Sequence, residues 1–156
     1  MKLNNQWLML AGFLVVTFGV TAIGGIATSG SVRSWYPTLA KPAWNPPGWG
    51  FEPVWTALYA TMAVAAWLVW RRAGWGGTLA LFGMQLALNA AWAPLFFGLH
   101  RIDLALADIV LLWAAIVATT VAFWKVTPFA GWLFVLYLLW VTFATALNFA
   151  LWRLNA

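Results

Sequence analysis

The stretch KPAWNPPGWGFEPVWTALY, residues 41–59, packs four prolines, three tryptophans and two glycines into the entry of an apolar run. Each proline fixes φ near −65° and removes an N–H donor. Each residue before a proline is pushed toward extended backbone. A segment restricted in this way has few conformations to lose on ordering. It reads as a stiff, aromatic mouth leading into a hydrophobic helix.

The rest of the chain says what kind of helix. Of 156 residues, 65% are hydrophobic and 7% charged, and the mean hydropathy is +0.87. Soluble domains carry about 25% charged residues. So few charges cannot build a water-facing surface, and the solvent for most of the chain is lipid. The net charge of +5 is scattered apart from the pair Arg71 and Arg72. Scattered charges of this kind meet anionic headgroups and do not form a nucleic-acid patch. No cysteine is present, which removes disulfides, thiolate nucleophiles and thiolate metal sites. The single histidine, His100, excludes a metal site built on several imidazoles and reads as an interfacial residue beside Arg101.

A spanning helix needs about 20 mostly apolar residues. Five segments qualify: 7–28, 53–70, 77–99, 103–124 and 128–152. The first is longer than the ~7–15-residue core of a signal peptide and reads as a span. Pro53 suits a first helical turn, and Glu52 suits the positive end of the helix dipole. Asp103 and Thr127 are expected as N-caps of the fourth and fifth spans. The expected fold is a single all-α integral membrane domain over 1–156. It is a bundle of five transmembrane helices with a long structured first loop at 29–52. Basic residues do not orient it. Lys2, Arg71, Arg72 and Lys125 fall on one side, and Arg33, Lys41, Arg101 and Arg153 on the other.

Two readings of the loop stand open. Trp35, Tyr36, Trp44 and Trp49 form either an interfacial aromatic belt or a lid over an aromatic cavity. Helical spacing places Trp55, Tyr59, Met62 and Ala66 on one face of the second span. Gln85, Asn89, Trp92 and Phe96 share a face of the third. Two amides on one membrane stripe turn inward, toward an interhelical hydrogen bond or a polar ligand. The opposite face carries Gly83, Ala87 and Ala91, a small-residue ridge suited to close packing, including against a second copy. On the fifth span Tyr137, Trp140, Ala144 and Leu147 lie together, with Asn148 at the edge of the stripe. Asp108 lies inside the fourth span, where an acid is expected to be paired or capping, or else a proton or ion site.

The strings WYPTLAKPAWNPPGWGF (35–51), VWTALY (54–59), LNAAWAPLFFG (88–98) and LYLLWVTFATALNF (136–149) resemble the TspO family. These are the tryptophan-rich sensory proteins, also called translocator proteins or peripheral benzodiazepine receptors. The resemblance covers nearly the whole chain. It implies a five-helix bundle, usually a homodimer, in the bacterial inner membrane. It implies protoporphyrin IX or haem as ligand, with no obligatory cofactor and no metal site. Sterols and synthetic benzodiazepine-site ligands are implied for some members. By the family pattern Tyr36, Trp55, Tyr59, Asn89, Trp92, Trp140 and Ala144 match pocket positions, Gln85 joins them on its stripe, and the ridge at Gly83, Ala87 and Ala91 resembles the dimer contact. Phe149 stands where the family's sterol motif has tyrosine, and Leu136 where many members have proline. The implied role is a membrane sensor or regulator that binds tetrapyrrole. The alternatives are a light-dependent porphyrin-degrading enzyme using Trp55 and Trp140 as oxidisable neighbours, and a porphyrin or sterol transporter.

Overall fold

The computed structural model describes residues 3–156, and Lys2 lies outside them. The helices are α1 (Leu3–Thr28), the one-turn α2 (Ser31–Ser34), α3 (Phe51–Ala73), α4 (Gly77–Ala93), α5 (Ile102–Val126) and α6 (Pro128–Asn155). All but α2 are long and apolar enough to cross a membrane. No strand occurs among the described residues. In hydrocarbon a backbone must satisfy its own polar groups, and helices do so within each segment. The protein is therefore a multi-pass integral membrane protein.

The helices close into a ring. α1 packs on α3, α3 on α6, α6 on α5, α5 on α4, and α4 returns to α1. Their outer faces are apolar. Val15 is 72% and Ile26 82% exposed, as lipid-facing side chains would be. Buried alanines on α3 (Ala63, Ala65 and Ala66) bring neighbouring elements close.

Several helix ends differ from the sequence reading. A 3₁₀ turn at Gly48–Gly50 runs straight into α3 at Phe51, so Pro53 is the third helical residue. α3 continues through Arg71 and Arg72 and ends at Gly74, whose φ of 69° is the left-handed geometry glycine adopts without penalty. Asp103 is not the N-cap of α5. The helix begins at Ile102, and Asp103 sits in its first turn, where both carboxylate oxygens accept from Arg101 at 2.8 and 2.6 Å. Thr127 does occupy the cap position of α6, but its hydroxyl caps nothing there. The third span is not one continuous α-helix. Pro94 cannot donate to the ladder, and residues Pro94–Gly98 widen into a π turn.

The 29–50 segment is ordered and lies across one end of the bundle. Its Trp35, Tyr36 and Leu39, in and beside a 3₁₀ turn at Tyr36–Thr38, pack on a small cluster made by Phe96, Ile102, Ala105, Leu147 and Leu151. A larger cluster fills the ring below.

Among the glycines, the tightest position is at the far end. A Cβ on Gly131 of α6 would meet Trp124 of α5 at 2.5 Å from the ring and 3.0 Å from its Cα. Alanine normally stabilises a helix interior relative to glycine by about 1 kcal/mol. Here it has to push α5 and α6 apart. Gly131→Ala is expected to lower stability by about 1–3 kcal/mol. Thermal melting in detergent micelles, read by circular dichroism, checks the sign.

Candidate functional site

Beneath the loop, α3 and α6 face each other with aromatic rings. Trp55 stacks on Tyr59 at 5.5 Å and meets Trp140 edge to face at 6.3 Å and 88°. Tyr137 lies 6.5 Å from Trp55. Phe51, the first residue of α3, closes over Trp140 at 6.0 Å, and Phe143 flanks it at 5.5 Å. Quadrupole attraction favours these offset and edge contacts. The Trp140 Nε1 is buried and has no hydrogen-bond partner among the described residues.

Asn89 of α4 reaches into this box. Tyr59 Oη donates to Asn89 Oδ1 at 2.7 Å, and Asn89 Nδ2 donates to Tyr137 Oη at 2.7 Å. One carboxamide thus ties α3, α4 and α6. Of the two readings of the amide stripe, the interhelical bond describes Asn89. It does not describe Gln85, whose side chain is fully buried with neither amide atom partnered.

One turn nearer the loop, Trp92 Nε1 donates to Asn148 Oδ1 at 3.0 Å, and Asn148 Nδ2 donates to the Ile102 carbonyl at 3.1 Å. Asn148 is therefore not at the edge of its stripe. It is 1% exposed and joins α4, α5 and α6. Trp92 also stacks on Phe96 at 5.1 Å, and Phe96 carries the loop residues Trp35 and Tyr36.

The aromatic loop divides between the two roles foreseen for it. Trp49 is 80% exposed and Trp44 49%, as belt residues would be. Trp35 and Tyr36 are half-buried against the bundle. Tyr36 Oη donates to Asn45 Oδ1 at 2.9 Å and braces the loop across itself. Burial pushes the Tyr36 phenol above its ordinary pKa, and the bond to Asn45 partly offsets this. Asn155 at the end of α6 clamps the loop by accepting from the Ala40 N–H and donating to the Ala40 carbonyl, both at 2.9 Å. His100 fastens the other side. It sits at φ 54°, shares a 3.0 Å hydrogen bond with Ser31 Oγ, and stacks on Trp35 at 4.2 Å.

The structure thus gathers Trp55, Tyr59, Asn89 and Trp140 into one box, places Trp92 and Tyr36 above it, and leaves Ala144 partly buried beside it. Gly83 and Ala87 lie on the outer face of α4, exposed, with Ala91 half-exposed. Asp108 is buried, with no ion-pair partner among the described residues, and its Oδ2 has no hydrogen bond among them; of the roles expected for it, pairing is not seen. Asn148 and Asn155 were underused by pattern reading. An asparagine at a helix end, or inside an apolar stripe, is the signal the sequence offers.

Comparison with known proteins finds relatives over nearly the whole chain. The profile of the TspO/MBR family matches residues 12–153. A tryptophan-rich sensory protein of Cereibacter sphaeroides is 43% identical, over 98% of this chain and 95% of its own. The human translocator protein is 41% identical, over 96% and 91%. The tryptophan-rich protein TspO of Chlorobaculum tepidum is 41% identical, over 98% and 99%.

Replacing Asn89 by leucine strands two tyrosine hydroxyls in an apolar interior. The expected loss is about 1–3 kcal/mol, and a smaller one for Tyr137→Phe, which strands only the Asn89 Nδ2 donor and leaves Asn89 Oδ1 bonded to Tyr59. Melting of both variants in the same detergent tests the ranking.

Proposed function

Because the chain belongs to the TspO/MBR family, we propose that it is a membrane sensor or regulator that binds a tetrapyrrole between α3 and α6, under the 29–50 loop. The observation that carries this reading is the Trp55–Trp140 pair roofed by Phe51, with the Trp140 indole N–H buried and unpartnered. A buried donor without an acceptor costs about 1–3 kcal/mol. A ligand carboxylate would remove that cost. Flat indole and phenol faces suit the flat face of protoporphyrin IX or haem. The rings touch one another here, so entry requires them to part and the loop to lift. The loop's attachments at Ala40 and Ser31 are exposed hydrogen bonds, the least costly kind to exchange with water. The names of the relatives, sensory and translocator, fit a protein that reads a ligand at the membrane.

A second reading is light-dependent degradation of the bound porphyrin. Trp55 stacked on Tyr59 next to Trp140 supplies oxidisable rings beside the ligand. The outward ridge at Gly83 and Ala87 fits a homodimer contact, since a Cβ at Gly83 meets nothing within 4 Å in the single chain.

In a dark titration of the purified protein with protoporphyrin IX, tryptophan quenching is expected to saturate. Trp140→Phe keeps a ring and loses the N–H, and should weaken binding about tenfold. Trp55→Ala should weaken it further. Quenching that does not saturate, or is unchanged in both variants, sinks the site. Illumination of the complex then separates the readings: an intact porphyrin supports the sensor, and a bleached one with a new product supports the enzyme.

A further inference from the structure

The end of the bundle opposite the loop holds a cleft of about 330 Å³ lined by Leu68, Arg71, Arg72, Thr127 and Phe129. We propose that this cleft is a binding site for the phosphate headgroup of an anionic phospholipid, gripped by Arg71 and Arg72.

The charges there are unbalanced. The chain has three acidic residues, Glu52, Asp103 and Asp108. Glu52 is in the first turn of α3, about 28 Å along the helix from Arg71 at 1.5 Å per residue. Asp103 is paired with Arg101 at the loop end. Asp108 lies buried inside α5. Arg71 and Arg72 therefore have no carboxylate within reach, and the exposed Lys125 in the last turn of α5 adds to the positive field. Helix ends do not cancel it. The C-termini of α3 and α5 contribute partial negative charge and the N-terminus of α6 partial positive charge, and these half-charges are smaller than the full charges of Arg71, Arg72 and Lys125.

One of the two arginines is already held in place. The Arg71 guanidinium lies 4.6 Å over the Trp67 ring. Trp67 is itself fixed, because its Nε1 donates to the Gln6 carbonyl of α1 at 2.9 Å and its ring stacks on Trp7. A guanidinium stacked on an indole keeps its donor edge free for an oxyanion. Thr127 adds a hydroxyl that makes no cap bond.

The position selects a lipid over a free anion. The cleft lies at the ends of two spanning helices, where headgroups lie. One wall is Phe129, 61% exposed, and Trp132 is 57% exposed one turn along α6. Aromatic side chains of this kind sit at the headgroup level. An apolar wall beside two guanidinium groups suits a phosphodiester with its glycerol and first acyl carbons. The cleft volume is roughly ten times the ~30 Å³ of a liquid water, which accommodates that group.

The test is native mass spectrometry of the purified protein titrated with phosphatidylglycerol and phosphatidylcholine. The wild type is expected to retain one phosphatidylglycerol per chain in preference to phosphatidylcholine. Arg71→Lys/Arg72→Lys keeps the net charge but loses the planar fork, and should weaken that adduct about tenfold. Arg33→Gln/Arg153→Gln removes two charges from the other end and should leave it unchanged. Excess inorganic phosphate should not displace the lipid. Unchanged binding in the lysine pair, or equal loss in the distant pair, would mean diffuse attraction and overturn the site. Displacement by inorganic phosphate would assign the cleft to a free anion instead. Circular dichroism reports whether each variant is folded, and for the lysine pair the porphyrin titration, which reads the opposite end, does so as well.

Discussion

The Asn89 carboxamide between Tyr59 and Tyr137 is the contact on which the interior is organised. In lipid, apolar packing between helices has no aqueous reference to drive it, so register must come from shape and from polar groups that find one partner. Asn89 supplies an acceptor to α3 and a donor to α6, and so sets the depth and rotation of three helices together. The rings of Trp55 and Trp140 are brought face to edge because their helices are pinned three or four residues away, at Tyr137 and Tyr59. Asn148 repeats the device nearer the loop with Trp92 and the Ile102 carbonyl. The aromatic box is thus framed by two asparagines at different depths.

The spans were legible because length and hydropathy leave a chain in lipid few choices. The inward faces were legible because 3.6-residue spacing groups Trp55 with Tyr59 and Asn89 with Trp92 whatever they touch. What escaped the pattern were contacts distant in sequence. Nothing near Asn148 announces that Trp92 will reach it, and nothing near Asn155 announces Ala40. Asp103 looked like a cap because caps are short-range features. Its neighbour Arg101 drew it into an ion pair instead. Pro94 sits in an apolar run long enough to span, so length concealed the local widening into a π turn.

The two ends of the bundle answer different demands. At one, prolines and aromatic rings make a cover whose exposed polar fastenings are few: Asn155 on Ala40, and Ser31 on His100. At the other, α5 and α6 approach through Gly131, and basic residues stand without acids. The first end is held by these few bonds and by the packing of Trp35 and Tyr36 on Phe96. The second is held close by contact of Gly131 with the Trp124 ring and backbone.

His100 joins two tasks in one residue. Its left-handed backbone makes the tight link from the π turn into α5, and its ring carries Trp35. A β-branched side chain is poorly suited to that backbone, whereas asparagine or glycine would keep the turn and give up the ring. As the one imidazole in the chain, it also makes the protein its own spectroscopic probe. Its ring protons give a single set of resonances, shifted by the indole beneath them for as long as the cover is down.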